Sequence, residues 1–135
     1  MSITTINGIE HHGKHAKLPG SEDDLQRACV QYLEWHPKKP LFFHPANGGS
    51  RNKAEAGKFK GMGVRAGVSD LVILEPVGAG PVVFWHGLMV ELKATNGKLS
   101  EHQTTFLLAA QERGYKVAVV YTFDAFKSLI DNYLQ

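Results

Sequence analysis

The apolar positions of the chain change period along its length, and those changes mark its elements. Between residues 21 and 36, Leu25, Ala28 or Cys29, Tyr32, Leu33 and Trp35 or His36 recur at helical spacing. Ser21 stands before them as an N-cap and Asp24 takes the third-residue acid position of a capping box. Glu22 and Asp23 suit the positive end of the helix. Pro37 stops it. After a Lys38-Lys39-Pro40 turn, Leu41 to His44 reads as a short strand ended by Pro45. A Gly-rich segment follows, then a weaker helical pattern over Lys53 to Met62, with Gly57 and Gly61 set against it. Next come two apolar segments, Leu71 to Glu75 and Val82 to Lys93, around a Pro/Gly-rich turn, as in a β-hairpin. Val72, Leu74, Val83 and Trp85 are its expected packing residues.

The last third of the chain has the clearest patterns. Phe106, Leu107 and Ala110 line one side of a helix from Ser100 to Arg113. Ser100 and Gln103 have capping-box spacing, and Gly114 ends the helix. Tyr115 to Tyr121 is a β-branched run without turn signals, hence a buried strand. Thr122 or Asp124 caps a final helix over Ala125 to Tyr133. A strand, a helix and a second buried strand between residues 83 and 121 predict a right-handed parallel crossover. Hairpin plus crossover gives an α/β fold, a single domain over residues 21–135 with a mixed central sheet flanked by helices. Residues 1–20 read as a flexible polar tail, with a short leading strand over Ile3 to Ile6.

Composition narrows the function. A chain of 135 residues with 43% hydrophobic content builds one ordinary core. A net charge of +2 excludes a globally basic protein, so a nucleic-acid surface must be a local patch. Arg51, Lys53, Lys58, Lys60 and Arg65, against Glu55 alone, form such a patch. Together with Asn47 they read as phosphate-contacting groups beside an active site. The single cysteine, Cys29, excludes an internal disulfide or a Cys-based zinc site and fits a reducing cytoplasm, bacterial or phage-encoded. No apolar run reaches membrane-spanning length, and no phosphate-loop or dinucleotide fingerprint points to an organic cofactor. His11 and His15 have helical spacing, but Gly13 and the lack of an apolar face argue against a helix, so no metal site is assigned there.

The chemistry gathers at one end of the predicted hairpin. Asp70 opens its first strand, and Glu91-Leu92-Lys93 closes its second. Side chains alternate along a strand, so Glu91 and Lys93 share a face and Leu92 points to the other. A turn centred near Gly80 and Pro81 brings Asp70 opposite Glu91. Two carboxylates and a lysine at one strand end are the parts of a magnesium-dependent phosphodiesterase.

Gly67-x-Ser69-Asp70-Leu71, then Glu91-Leu92-Lys93, then Gly97-x-Leu99-Ser100-x-x-Gln103 resembles the PD-(D/E)XK nuclease pattern. In particular it resembles the VRR-NUC (virus-type replication-repair nuclease) family, over roughly residues 21 to 121. The family's helix glutamate matches Glu22, with Asp23 as the alternative register, and its Asn-Gly segment matches Asn47-Gly48. One departure stands out. The family usually has proline before the catalytic aspartate, and this chain has Ser69. The resemblance implies a Mg²⁺- or Mn²⁺-dependent endonuclease whose metal is held by Asp70, Glu91, the Leu92 backbone carbonyl and Glu22. Lys93 would stabilise charge on the phosphate, and Gln103 would orient Lys93 or the attacking water. The expected partner is branched DNA such as a four-way (Holliday) junction, cut by a homodimer. The alternatives are a general or restriction-type DNA-processing nuclease and a non-catalytic nucleic-acid-binding module.

Overall fold

The structure, a computed structural model, describes residues 2–16, 20–46, 57, 58 and 60–135. Its strands are β1 (Ile3–Ile6), β2 (Ile9–His12), β3 (Phe42–Phe43), β4 (Leu71–Ile73), β5 (Val77–Ala79), β6 (Val82–Trp85), β7 (Leu88–Leu92) and β8 (Lys116–Val120). The helices are α1 (Glu22–Trp35), α2 (Glu101–Glu112) and α3 (Phe123–Tyr133). Residues 57, 58, 60 and 61 are also helical, at the end of the segment expected as a helix over Lys53 to Met62. Much of that segment lies outside the described residues.

Six strands form one mixed sheet in the order β1-β2-β8-β7-β4-β3. The predicted crossover is present: β7 and β8 run parallel, from Leu88 opposite Lys116 to Leu92 opposite Val120, with α2 between them in sequence. Alternation along the central strands feeds two separate cores. Leu88, Val90, Leu92, Ala118 and Val120 pack with α1 and α3 on one face. Ile9, Val117, Val119 and Tyr121 pack with Leu107 and Ala110 of α2 on the other. Helices therefore cover both faces, which is why β7 and β8 read as nearly unbroken apolar runs. The helix starts follow their caps: Ser21 Oγ accepts from Asp24 N–H at 3.1 Å, and Thr122 Oγ1 from Ala125 N–H at 3.1 Å.

Two expectations are corrected. Within the stretch expected as a flexible tail, the described residues 2–16 are not free: β1 and β2 form a hairpin, and β2 lies parallel against β8. Ile9, His11 and His12 are buried there. The strand is held by β8 and α2, which lie far away in sequence, so local polarity does not betray it. The predicted simple hairpin also divides. β4 pairs with β7, while β5 and β6 form a separate two-stranded sheet between them in sequence. Pro76 lacks the N–H that a continuing ladder needs, and the register shifts between Val77 and Gly78. Accordingly Leu74 and Val83 are exposed, whereas Val72 packs inside with its neighbours Leu71 and Ile73. Among the described residues, no helix is long and apolar enough to cross a membrane.

Candidate active site

The centre of the site is the junction of β4, β7 and the first turn of α2. Leu71 stands opposite Val90, so Asp70, one step beyond the strand, comes opposite Glu91. The Asp70 carboxylate Oδ2 accepts the Leu92 N–H at 2.7 Å and so closes the ladder with a side chain. Within a strand, the N–H and C=O of one residue leave on the same side. The Leu92 carbonyl is therefore directed toward Asp70. His44, just after β3, holds the aspartate from behind: its Nδ1 lies 2.5 Å from the Asp70 carbonyl oxygen. Sequence reasoning missed His44. Its only signal was a polar side chain at the end of an apolar strand.

Glu91 is 2% exposed and faces α2. Its Oε1 accepts from Gln103 Nε2 at 3.0 Å. Gln103, expected to orient Lys93 or a water, contacts the Glu91 carboxylate. The rest of Gln103 is fixed by a full capping box: Oε1 accepts Ser100 N–H at 2.9 Å, and Ser100 Oγ accepts Gln103 N–H at 3.1 Å. The approach of the chain to this turn requires Gly67. Its φ is +81°, and a Cβ there would collide with the His102 carbonyl oxygen. Ser69, where the family pattern has proline, is buried and donates its hydroxyl to Leu71 O at 3.3 Å.

The electrostatics of the pair are unbalanced. Glu91 Oε2 is buried without a hydrogen-bond partner among the described residues. Burial first, then the Asp70 carboxylate beside it, pushes the Glu91 carboxyl up to about 9, against the opposing pull of Lys93. Two carboxylates at one strand end, one of them with an unsatisfied oxygen, are oxygen donors of the kind a hard divalent cation takes. Lys93 sits on the Glu91 face by alternation, its backbone N–H bound to Val120 O at 3.0 Å. Its stem crosses Gly97, where an added Cβ would stand 3.2 Å from Lys93 Cβ and Cδ.

The other predicted site residues are more peripheral. Glu22 is exposed at the first position of α1, and its charge adds to the upward push on Glu91. It does not complete a ligand cage: no group of three or more His, Cys, Asp or Glu among the described residues is arranged to hold a metal. Asp23, the alternative register, lines a groove with Arg27, Gln31 and His44. Lys58, Lys60 and Arg65 are exposed, as a phosphate-contacting surface requires. Asn47, Arg51 and Lys53 lie outside the described residues.

Comparisons with known proteins agree with this fold. A family model described as the VRR-NUC domain matches residues 21–124. A solved structure titled "VRR_NUC domain protein" superposes with a TM-score of 0.70 at 29% identity, covering 86% of this chain and 90% of that one. A second, titled "VRR_NUC domain", gives 0.54 at 24% identity, covering 83% and 96%, and speaks for the fold alone. No curated protein matches.

Proposed function

The chain belongs to the VRR-NUC domain family, a nuclease-type domain, and from that premise we propose that it is a metal-dependent, structure-specific DNA endonuclease. The observation that carries this reading is the buried Glu91 oxygen without a partner, set beside Asp70 at a strand end. Asp70, Glu91 and the Leu92 carbonyl would hold Mg²⁺ or Mn²⁺, with Glu22 contributing through its charge or an intervening water. When bound, such a cation activates water for attack and offsets charge on the phosphate.

The chain's own groups do the rest. Gln103 holds Glu91 in one rotamer through Oε1, which leaves Oε2 turned to the site. His44 and the Leu92 N–H fix Asp70 at its backbone and its carboxylate. Lys93, on the same face as Glu91, donates to a phosphate oxygen as negative charge builds in the transition state. Hydrolysis breaks the phosphodiester and leaves a 5′-phosphate, as the family resemblance implies. Asn47, Arg51, Lys53, Lys58, Lys60 and Arg65 would grip neighbouring phosphates.

The preferred substrate in this reading is branched DNA such as a four-way junction, cut symmetrically by a homodimer. A two-fold dimer matches the symmetry of that substrate. The test is cleavage of a labelled four-way junction beside matched duplex and flap, with Mg²⁺, Mn²⁺ or EDTA. Paired, metal-dependent nicks in the junction alone support the full reading. Cutting of every substrate keeps the nuclease and removes junction specificity. Asp70→Asn should abolish cleavage while leaving binding in place; cleavage at the wild-type rate would sink the mechanism.

A further inference from the structure

A cavity opens on the α2 face of the sheet, the face that carries Glu91. It has a volume of about 290 Å³, and Asn7, His11, Lys14, Lys98, Thr104 and Tyr121 supply its polar walls. Every one of these side chains can donate a hydrogen bond, two are cationic, and among the described residues no carboxylate lines the cavity. Its deepest polar group is His11, 4% exposed. The His11 Nδ1 lies 2.9 Å from the Tyr121 hydroxyl, and its Nε2 is buried with no partner among the described residues. With the phenol donating to Nδ1, the ring proton sits on Nε2, a directional donor without an acceptor. Lys14 Nζ stands 5.3 Å from the centre of the Tyr121 ring, so a cation already overhangs the same spot. Burial, then Lys14 and His12, lowers the His11 pKa, and an anion in the cavity would oppose that shift.

The placement relative to the active site follows from the register. His11 is opposite Val119, and Val119 is opposite Glu91. The three side chains form one row on the α2 face, two strand spacings or about 10 Å from end to end. The rim is held in place: Gln111 Nε2 of α2 donates to Gly8 O at 3.1 Å across the β1–β2 turn. This wall comes from residues 6–14, before the stretch matched by the family model, which begins at residue 21.

We propose that this cavity is an anion subsite that takes a backbone phosphate of the nucleic-acid strand, one removed from the phosphate at Asp70 and Glu91. Lys14 and Lys98 supply the charge, and His11 Nε2 supplies the buried hydrogen bond. Assignment of the phosphate to a nucleic acid rests on the nuclease reading; the affinity for a phosphate group does not.

Two arms of one experiment, both on the full chain in EDTA, separate these parts. In the first, inorganic phosphate is titrated while the imidazole nitrogen resonances of His11 are followed by NMR. The expected result is a saturable shift that is lost in the Lys14→Gln/Lys98→Gln double variant. In the second, binding of a labelled junction is measured against salt. The double variant should bind roughly 10-fold more weakly, with its salt slope smaller by about one. Unmoved His11 resonances overturn the subsite. A His11 response with unchanged DNA affinity and slope overturns the nucleic-acid assignment and leaves a site for free phosphate. A chain that cleaves no DNA yet passes both arms loses the nuclease reading and keeps the subsite. Both lysines lie on the rim and outside the two cores, so the double variant tests binding and not folding.

Discussion

Glu91 sets the electrostatics of the site because it is a carboxylate buried beside a second carboxylate. In the unfolded chain the Glu91 carboxyl releases its proton near 4.5, whereas the folded chain holds it to about 9. The folded state therefore gains from the bound proton below the unfolded value, and that gain is lost as pH rises through about 9. Without divalent cation, the urea midpoint should fall between pH 5 and pH 8 by more in the wild type than in Glu91→Gln, whose amide cannot ionise. Equal slopes in the two proteins would show that Glu91 ionises freely. At pH 8, Mg²⁺ should raise the wild-type midpoint and leave Glu91→Gln unmoved, since the ion binds only the folded carboxylate pair. Gln103 acts through Glu91, to which it donates at 3.0 Å. Gln103→Ala should cut cleavage or metal affinity by about 10–100-fold. A rightward shift of the Mg²⁺ titration would identify it as a positioning residue. Lys93→Ala should lower the rate by roughly 10²–10³-fold with little change in that titration.

At the level of elements, the site depends on the start of α2. The Ser100–Gln103 capping box serves two ends: it satisfies the helix terminus and fixes the side chain that holds Glu91. Ser100→Ala should cost about 1 kcal/mol of stability in urea unfolding. It should also lower activity more than that loss predicts, because Gln103 is left less ordered; a variant with full activity would separate the cap from the site. This cap was legible in the sequence because its logic is local, a serine and a glutamine three residues apart. The opposition of Asp70 and Glu91 was legible for a similar reason, since strand pairing follows from the turn position. What the sequence hid lies in contacts between distant segments. Gly67 is required by the carbonyl of His102, and His44 matters because β3 lies beside β4. Nor does alternation alone distinguish a continuous hairpin from one whose middle, β5 and β6, leaves the main sheet.

For the whole molecule, the less expected feature is that the sheet does not end at β8. A strand as apolar as Val117 to Val120 is buried on both faces, and such a strand needs a neighbour on each side. β7 supplies one, and β2 supplies the other. The sequence concealed β2 because Glu10, His11 and His12 look like surface residues. Glu10 is reached by Lys116 at 3.5 Å and His11 meets Tyr121, both more than a hundred residues away, while His12 pairs with Glu10 at 3.0 Å. Ile9 is the apolar anchor, fully buried in the core beneath α2. Ile9→Ala should destabilise the fold by about 2–5 kcal/mol. A chain lacking residues 1–16 should lose more, since it also bares the edge of β8 to pairing with other chains. Urea unfolding beside a light-scattering measurement checks both. If truncation leaves the midpoint unchanged and the protein monodisperse, β2 is an ornament on a complete fold. A large loss places the first sixteen residues within the folding unit, in the same sheet as Glu91, whose row across Val119 ends on His11.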